Sequence, residues 1–110
     1  MYEKDLHISF LLDFYGEVLS EHKRTVLDLY YNDDLSLAEI AQEIGISRQG
    51  VRELIKKAEE ELRFYEERLG LCHRFREAQQ SAEELLALLR RADAPAEVFR
   101  AAEALAEKIR

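Results

Sequence analysis

The chain has 110 residues, 47% hydrophobic and 35% charged, with a formal net charge of −7 and a single cysteine. That length suits one compact domain, and the composition suits a soluble helical protein. One cysteine excludes an internal disulfide, no apolar run approaches membrane-spanning length, and the acidic balance argues against non-specific wrapping of nucleic acid, which needs Lys and Arg to neutralise phosphates.

The first helix is expected over residues 3–15. Leu6, Phe10, Leu11 and Phe14 recur at helical spacing, and Ile8, Leu12 and Tyr15 broaden the face. A helix this apolar must be covered on most sides. Gly16 is expected to end it, and His7 reads as an ordinary helix histidine. Ser20 caps the next helix, which runs to about Tyr31 with Val26, Leu27, Leu29 and Tyr30 inward. Lys23 and Arg24 in its first turns are solvated surface or phosphate contacts. Asn32-Asp33-Asp34 breaks that helix with turn chemistry, and its Asp pair lacks the spacing of a calcium loop.

The next stretch organises the chain. Ser36 caps a helix and Glu39, three residues on, completes a capping box. Leu37, Ile40, Ala41 and Ile44 form one apolar face. Gly45 suits the left-handed residue that commonly follows a helix, Ile46 is buried in the turn, and Ser47 caps a second helix with Val51, Leu54, Ile55 and Ala58 inward. Cap, period, glycine turn and second cap agree on a helix-turn-helix. The outward residues of the second helix are Arg48, Gln49, Arg52, Glu53 and Lys56. Arg grips guanine with two hydrogen bonds, Gln pairs with adenine, and Glu accepts from cytosine. Arg48, Gln49, Arg52 and Glu53 are therefore the candidate base readers, because the N-terminal turns of the second helix enter the major groove. Ser47, Lys56, Lys57 and Arg24 are the candidate phosphate contacts, which position without specifying sequence. From Ser47 to Lys57 the local charge is +3 on an acidic body, enough to steer docking. A helical hairpin with a merely solvated charged face is the bland alternative.

Val51, Leu54, Ala58, Leu62, Tyr65 and Leu69 continue as a heptad stripe, which extends the second helix from Ser47 to Leu69 as one arm of a hairpin. Glu59, Glu60 and Glu61 read as an acidic run that phosphate would repel, so DNA contact is expected to end near Lys57. Gly70 allows a break. A second arm follows from about Leu71 to Arg91 with Phe75, Ala78, Ala82, Leu85, Leu86 and Leu89 inward. Asp93 is expected to cap a last helix and Pro95 to start it, with Val98, Ala102, Leu105 and Ile109 on one face. Its partner, the same chain or a second copy, stays open. Cys72-His73 points two ways on a helix, and one Cys with three scattered His falls short of a zinc set. No Gly-rich phosphate loop or nucleophile elbow is present, so we expect neither an enzyme nor a cofactor.

The segment from Leu37 to Arg63, with its run IAQEIGISRQGVRELIKKAEEELR, resembles the promoter-reading fourth region of bacterial sigma factors. That likeness implies that Arg48, Gln49, Arg52 and Glu53 contact bases. The longer stretch EKDLHISFLLDFYGEVLSEHKRTVLDLYYNDDLSLAEIAQEIGISRQGVRELIKK resembles the YlxM or p13-like family of small bacterial helix-turn-helix proteins, most specifically in DFYG, LDLYYNDDLSLAEIA and ISRQGVR. The genes of that family commonly neighbour those of the signal recognition particle, which implies a regulator of, or accessory to, that pathway. Family members commonly carry Ala where this chain has Gly50. A helix-interior Gly costs about 1 kcal/mol relative to Ala, so a looser start to the second helix is expected.

The expected fold is all-α, a winged-helix-free, sigma region-four-like helix-turn-helix core (1–63) followed by a C-terminal helical hairpin extension (64–110), in one domain. MYEKDLHIS has no signal-peptide pattern, so an intact cytoplasmic protein is expected. Two functions follow. One is a DNA-binding regulator, a homodimer on two half-sites. The other is a non-DNA-binding accessory to the protein or RNA of the signal recognition particle. Neither involves a membrane.

Overall fold

A computed structural model describes residues 4–110. Among these residues the chain forms six α-helices, with a 3-10 turn over Gly16–Val18 and a π-helical segment over Asp28–Asn32. The helices are α1 (Leu6–Tyr15), α2 (Glu21–Leu27), α3 (Leu37–Ile44), α4 (Arg48–Leu69), α5 (Leu71–Arg91) and α6 (Ala96–Ile109). The fold is all-α, as the periodicity predicts. Contacts divide the chain into one unit ending at Gly70 and a second, Leu71–Arg110.

In the first unit α1 begins at Leu6 because Asp5 caps it, its Oδ1 accepting the His7 N–H at 3.0 Å. Glu3, within the expected helix, lies outside the described residues. The buried face of α1 is Ile8, Leu11, Leu12 and Tyr15, whereas Leu6, Phe10 and Phe14 are 75%, 48% and 39% exposed. This corrects the expected Leu6–Phe10–Phe14 row. The side that meets α4 is set by Tyr15, whose hydroxyl donates to Glu66 Oε1 at 2.6 Å. Gly16 does not stop the helix in a left-handed conformation. Its φ is −54° and the chain tightens into the 3-10 turn.

Ser20 Oγ accepts the Lys23 N–H at 3.3 Å and so caps α2. The helix expected to reach Tyr31 widens after Leu27 into the π segment. Val26, Leu27 and Tyr30 are buried from these turns. Asp34 then takes a left-handed φ of 57°, which a short polar side chain tolerates, and its carboxylate pairs with Lys4.

The 22-residue α4 is the common partner of α1, α2 and α3. Ile8, Leu11, Val26, Leu27, Ile40, Val51, Ile55 and Leu62 are all at most 1% exposed, and burial of each such side chain contributes about 1.5–3 kcal/mol. The heptad stripe holds for Val51, Ala58 and Leu62, is half-buried at Leu54 and Tyr65, and fails at Leu69, which is 53% exposed. The acidic run needs correction as well. Glu59 is 3% exposed and accepts a hydrogen bond from the Tyr31 hydroxyl. Glu61 sits 2.9 Å from Lys23 Nζ and accepts from the Tyr65 hydroxyl at 2.8 Å. Of the three carboxylates only Glu60 is exposed.

The second unit is an antiparallel hairpin of α5 and α6. Gln79 Nε2 donates to the Ile109 carbonyl at 3.2 Å, and Arg110 pairs with Glu83 at 2.9 Å. The partner of the last helix, left open by the sequence, is thus α5 of the same chain. Asp93, expected to cap α6, instead ends α5: its φ is 51° and the Ala94 N–H reaches back to the Leu89 carbonyl at 3.0 Å, the Schellman closure. α6 opens after Pro95 with no side-chain cap. Ala82, Leu86, Ala102 and Ala106 form the core, with Leu89, Phe99 and Ile109 against it. Ala78, Leu85, Val98 and Leu105, expected inward, are exposed. α5 thus turns Ala82, Leu86 and Leu89 inward, and α6 turns Phe99, Ala102, Ala106 and Ile109.

Candidate nucleic-acid interface

The site rests on two capped helices and the turn between them. Ser36 Oγ accepts the Glu39 N–H at 3.1 Å while Glu39 Oε1 accepts the Ser36 N–H at 2.9 Å, the reciprocal capping box. That hydrogen bond from the Ser36 backbone holds the Glu39 carboxyl below its usual range. Gly45 has φ 76°, a conformation an added Cβ disfavours. Its N–H and that of Ile46 both reach the Ala41 carbonyl, at 2.9 and 3.2 Å. Ser47 Oγ accepts the Gly50 N–H at 3.0 Å, and α4 starts at Arg48.

Burial of Val51, Ile55 and Ala58 fixes the rotation of α4. Arg48, Gln49, Arg52, Glu53, Lys56 and Lys57 are in consequence all exposed. Arg48 and Arg52 share one cleft of about 770 Å³, walled by Lys4, Tyr30, Asp34 and the opening turn of α3 from Ser36 to Glu39. Lys4 Nζ stands 4.6 Å from the Tyr30 ring centroid. Burial and the nearby Glu59 push the Tyr30 hydroxyl above its usual range, with Arg52 opposing them. Sequence reasoning missed Lys4 as a neighbour of the two arginines. Nothing local in the chain signals it, since Lys4 arrives through the pairing of Asp34 with the segment before α1.

Further along α4, Glu53, Lys56, Lys57 and Glu60 line a separate depression. Three cations, Lys4, Arg48 and Arg52, thus share the head cleft with Asp34 and Glu39, and Lys56 and Lys57 share theirs with Glu53 and Glu60. Ser47 uses its oxygen as a cap acceptor, and its hydroxyl hydrogen remains a donor. Arg24 is not brought to this face. It lines another cleft with Asp13, Glu17 and Asp28, where three carboxylates oppose a phosphate.

The comparisons with known proteins agree with this geometry. The model of the family described as "Putative helix-turn-helix protein, YlxM / p13 like" matches residues 2–99. The chain belongs to this family. It is 42% identical over 87 residues to a UPF0122 protein of Desulforamulus reducens, covering 78% of this chain and 74% of that one. It is 44% identical over 89 residues to UPF0122 proteins of Bacillus cereus and Bacillus thuringiensis, covering 81% of each chain. The YlxM/p13-like match takes in the helix-turn-helix, α5 and the first turn of α6. No helix of the described residues is long and apolar enough to cross a membrane. Among those residues no group of three or more His, Cys, Asp or Glu is placed to hold a metal ion.

Proposed function

We propose that this protein is a cytoplasmic, sequence-specific DNA-binding regulator that inserts the first two turns of α4 into the major groove. The observation that carries the reading is the exposure of Arg48, Gln49, Arg52 and Glu53 on one side of a helix whose other side is buried and whose start is fixed by Ser47. Four residues with base-edge chemistry stand where a helix-turn-helix reads bases. Lys56 and Lys57 follow as phosphate contacts, and Ser47 adds a hydroxyl donor. Because one such motif grips weakly, the reading includes a homodimer on two half-sites.

A second reading is favoured by the net charge of −7, which opposes DNA outside the local patch. In it the acidic surface meets basic faces on the protein or RNA-bound form of the signal recognition particle, or Arg48 and Arg52 touch its RNA. The acidic arm that would have recommended it is reduced, because Glu59 is buried and Glu61 is paired with Lys23. Selection from a randomised duplex pool separates the two. Enrichment of a defined site supports the regulator. Unselective, salt-sensitive binding together with retention by the particle's components supports the accessory.

A further inference from the structure

The α5–α6 hairpin has two unlike edges. Gln79, Ala82, Leu86 and Leu89 of α5 meet Phe99, Ala102, Ala106 and Ile109 of α6 at alternating steps of three and four, a heptad seam. One flank of that seam is polar, with Arg110 on Glu83 at 2.9 Å and the Arg90 guanidinium 5.2 Å from the Phe99 ring centroid. The other flank is apolar. Leu85 and Leu88 from α5 are 39% and 55% exposed, and Val98 and Leu105 from α6 are 46% and 49% exposed. The core cluster behind them is one leucine and three alanines, with Leu89, Phe99 and Ile109 partly buried against it. Units of about 40 residues usually need a disulfide, a metal or a partner to be stable.

We propose that the Leu85–Leu88–Val98–Leu105 edge is a homodimer surface, on which two hairpins pack as an antiparallel four-helix bundle. A second copy is the occupant because the edge complements itself. On α6, Glu97 precedes Val98 and Lys108 lies one turn beyond Leu105, all of them exposed. Reversing a second α6 about a two-fold near Ala101 sets Val98 against Leu105 and brings Glu97 to Lys108, at both ends at once. Ala101 and Ala104, also exposed, lie between and permit close approach. The same two-fold sets Leu85 of one α5 opposite Leu88 of the other. Every neighbouring pair of helices is then antiparallel, as in up-down bundles, and the interface is isologous, as two-fold dimers require.

The inference deepens the homodimer of the functional reading by giving its surface, and does not rest on DNA binding. It is tested without DNA, by sedimentation equilibrium of the full chain. The expected result is a dimer that Leu88→Glu/Leu105→Glu converts to a monomer of unchanged far-UV circular dichroism. Because that variant risks unfolding, the charge pair supplies an independent readout. Glu97→Lys or Lys108→Glu alone should weaken self-association on the order of ten-fold, since each creates two like-charge contacts, and the double reversal should restore it. Glu83→Gln, on the polar flank, should leave it unchanged. A monomeric wild type, a dimer indifferent to the edge variants, or a double reversal as weak as the single ones would each overturn the proposal.

Discussion

Ser47 Oγ lies 3.0 Å from the Gly50 nitrogen, and a Cβ added at Gly50 would stand 3.2 Å from that same oxygen. The start of the reading helix therefore depends on a cap and a missing methyl group that share one small space. The other near neighbour of that methyl is Ile46 Cδ1 at 3.4 Å, the free end of a flexible side chain. Gly50→Ala should accordingly stabilise the protein, by less than the full ~1 kcal/mol of helix propensity. Ser47→Ala should destabilise it by about 1 kcal/mol. Urea unfolding followed by circular dichroism measures both, and a destabilising Gly50→Ala would show that the cap oxygen cannot yield.

Glu59 tests whether the base of the motif is held by a polar contact as well as by packing. Its carboxylate is 3% exposed and accepts from Tyr31. Tyr31→Phe removes a donor from a buried acceptor and should cost about 0.5–1.5 kcal/mol. In the same unfolding assay Leu62→Ala, which opens a cavity beside it in α4, should cost about 2–5 kcal/mol.

The ion pair between α2 and α4 predicts a pH dependence. Hydrogen bonds from Lys23, then from Tyr65, hold the Glu61 carboxyl below its ordinary value of 4.5. A depressed folded-state pKa contributes stability that is present above the unfolded value and lost as pH falls through the folded one. The advantage of the wild type over Glu61→Gln should be full above about pH 5 and shrink steadily below about pH 4. Equilibrium unfolding across that range measures it, and an advantage independent of pH would remove Glu61 from the account.

Much of this architecture was legible because it is written locally. The capping box at Ser36 and Glu39, the turn at Gly45, the cap at Ser47 and the stop at Gly70 each involve residues within four positions of one another. Other features depended on distant partners. The side of α1 that is buried follows from where Tyr15 meets Glu66, and Lys4 reaches the arginine cleft through Asp34 and the Tyr30 ring. Glu59 was misread because carboxylates are almost never fully buried unless paired. Its spacing, four after Ile55 and three before Leu62, was the signal that it belongs to the inner face. In α5 and α6 the periodicity finds Ala82, Leu86, Leu89, Ala102 and Ile109 on the inner face but also draws in Leu85, Val98 and Leu105, which the structure leaves exposed.

The roles proposed along α4 differ in their salt signatures. Lys56→Ala/Lys57→Ala should weaken DNA binding similarly for all sequences and lower the slope of log affinity against log salt by about 2. Arg52→Ala should instead cost about 1–3 kcal/mol and relax preference at one base pair. Anisotropy titrations at several salt concentrations distinguish them, and identical behaviour of the two variants would contradict the division into base readers and phosphate contacts.

The most direct test of DNA reading by α4 is selection from a randomised duplex pool, read by fluorescence anisotropy at two salt concentrations, with the Arg48→Ala/Arg52→Ala variant alongside. Enrichment of a defined two-fold symmetric site by the wild type, lost in the variant, is the predicted result. Weak, unselective binding by the wild type, or enrichment unaffected by removing both arginines, would contradict it.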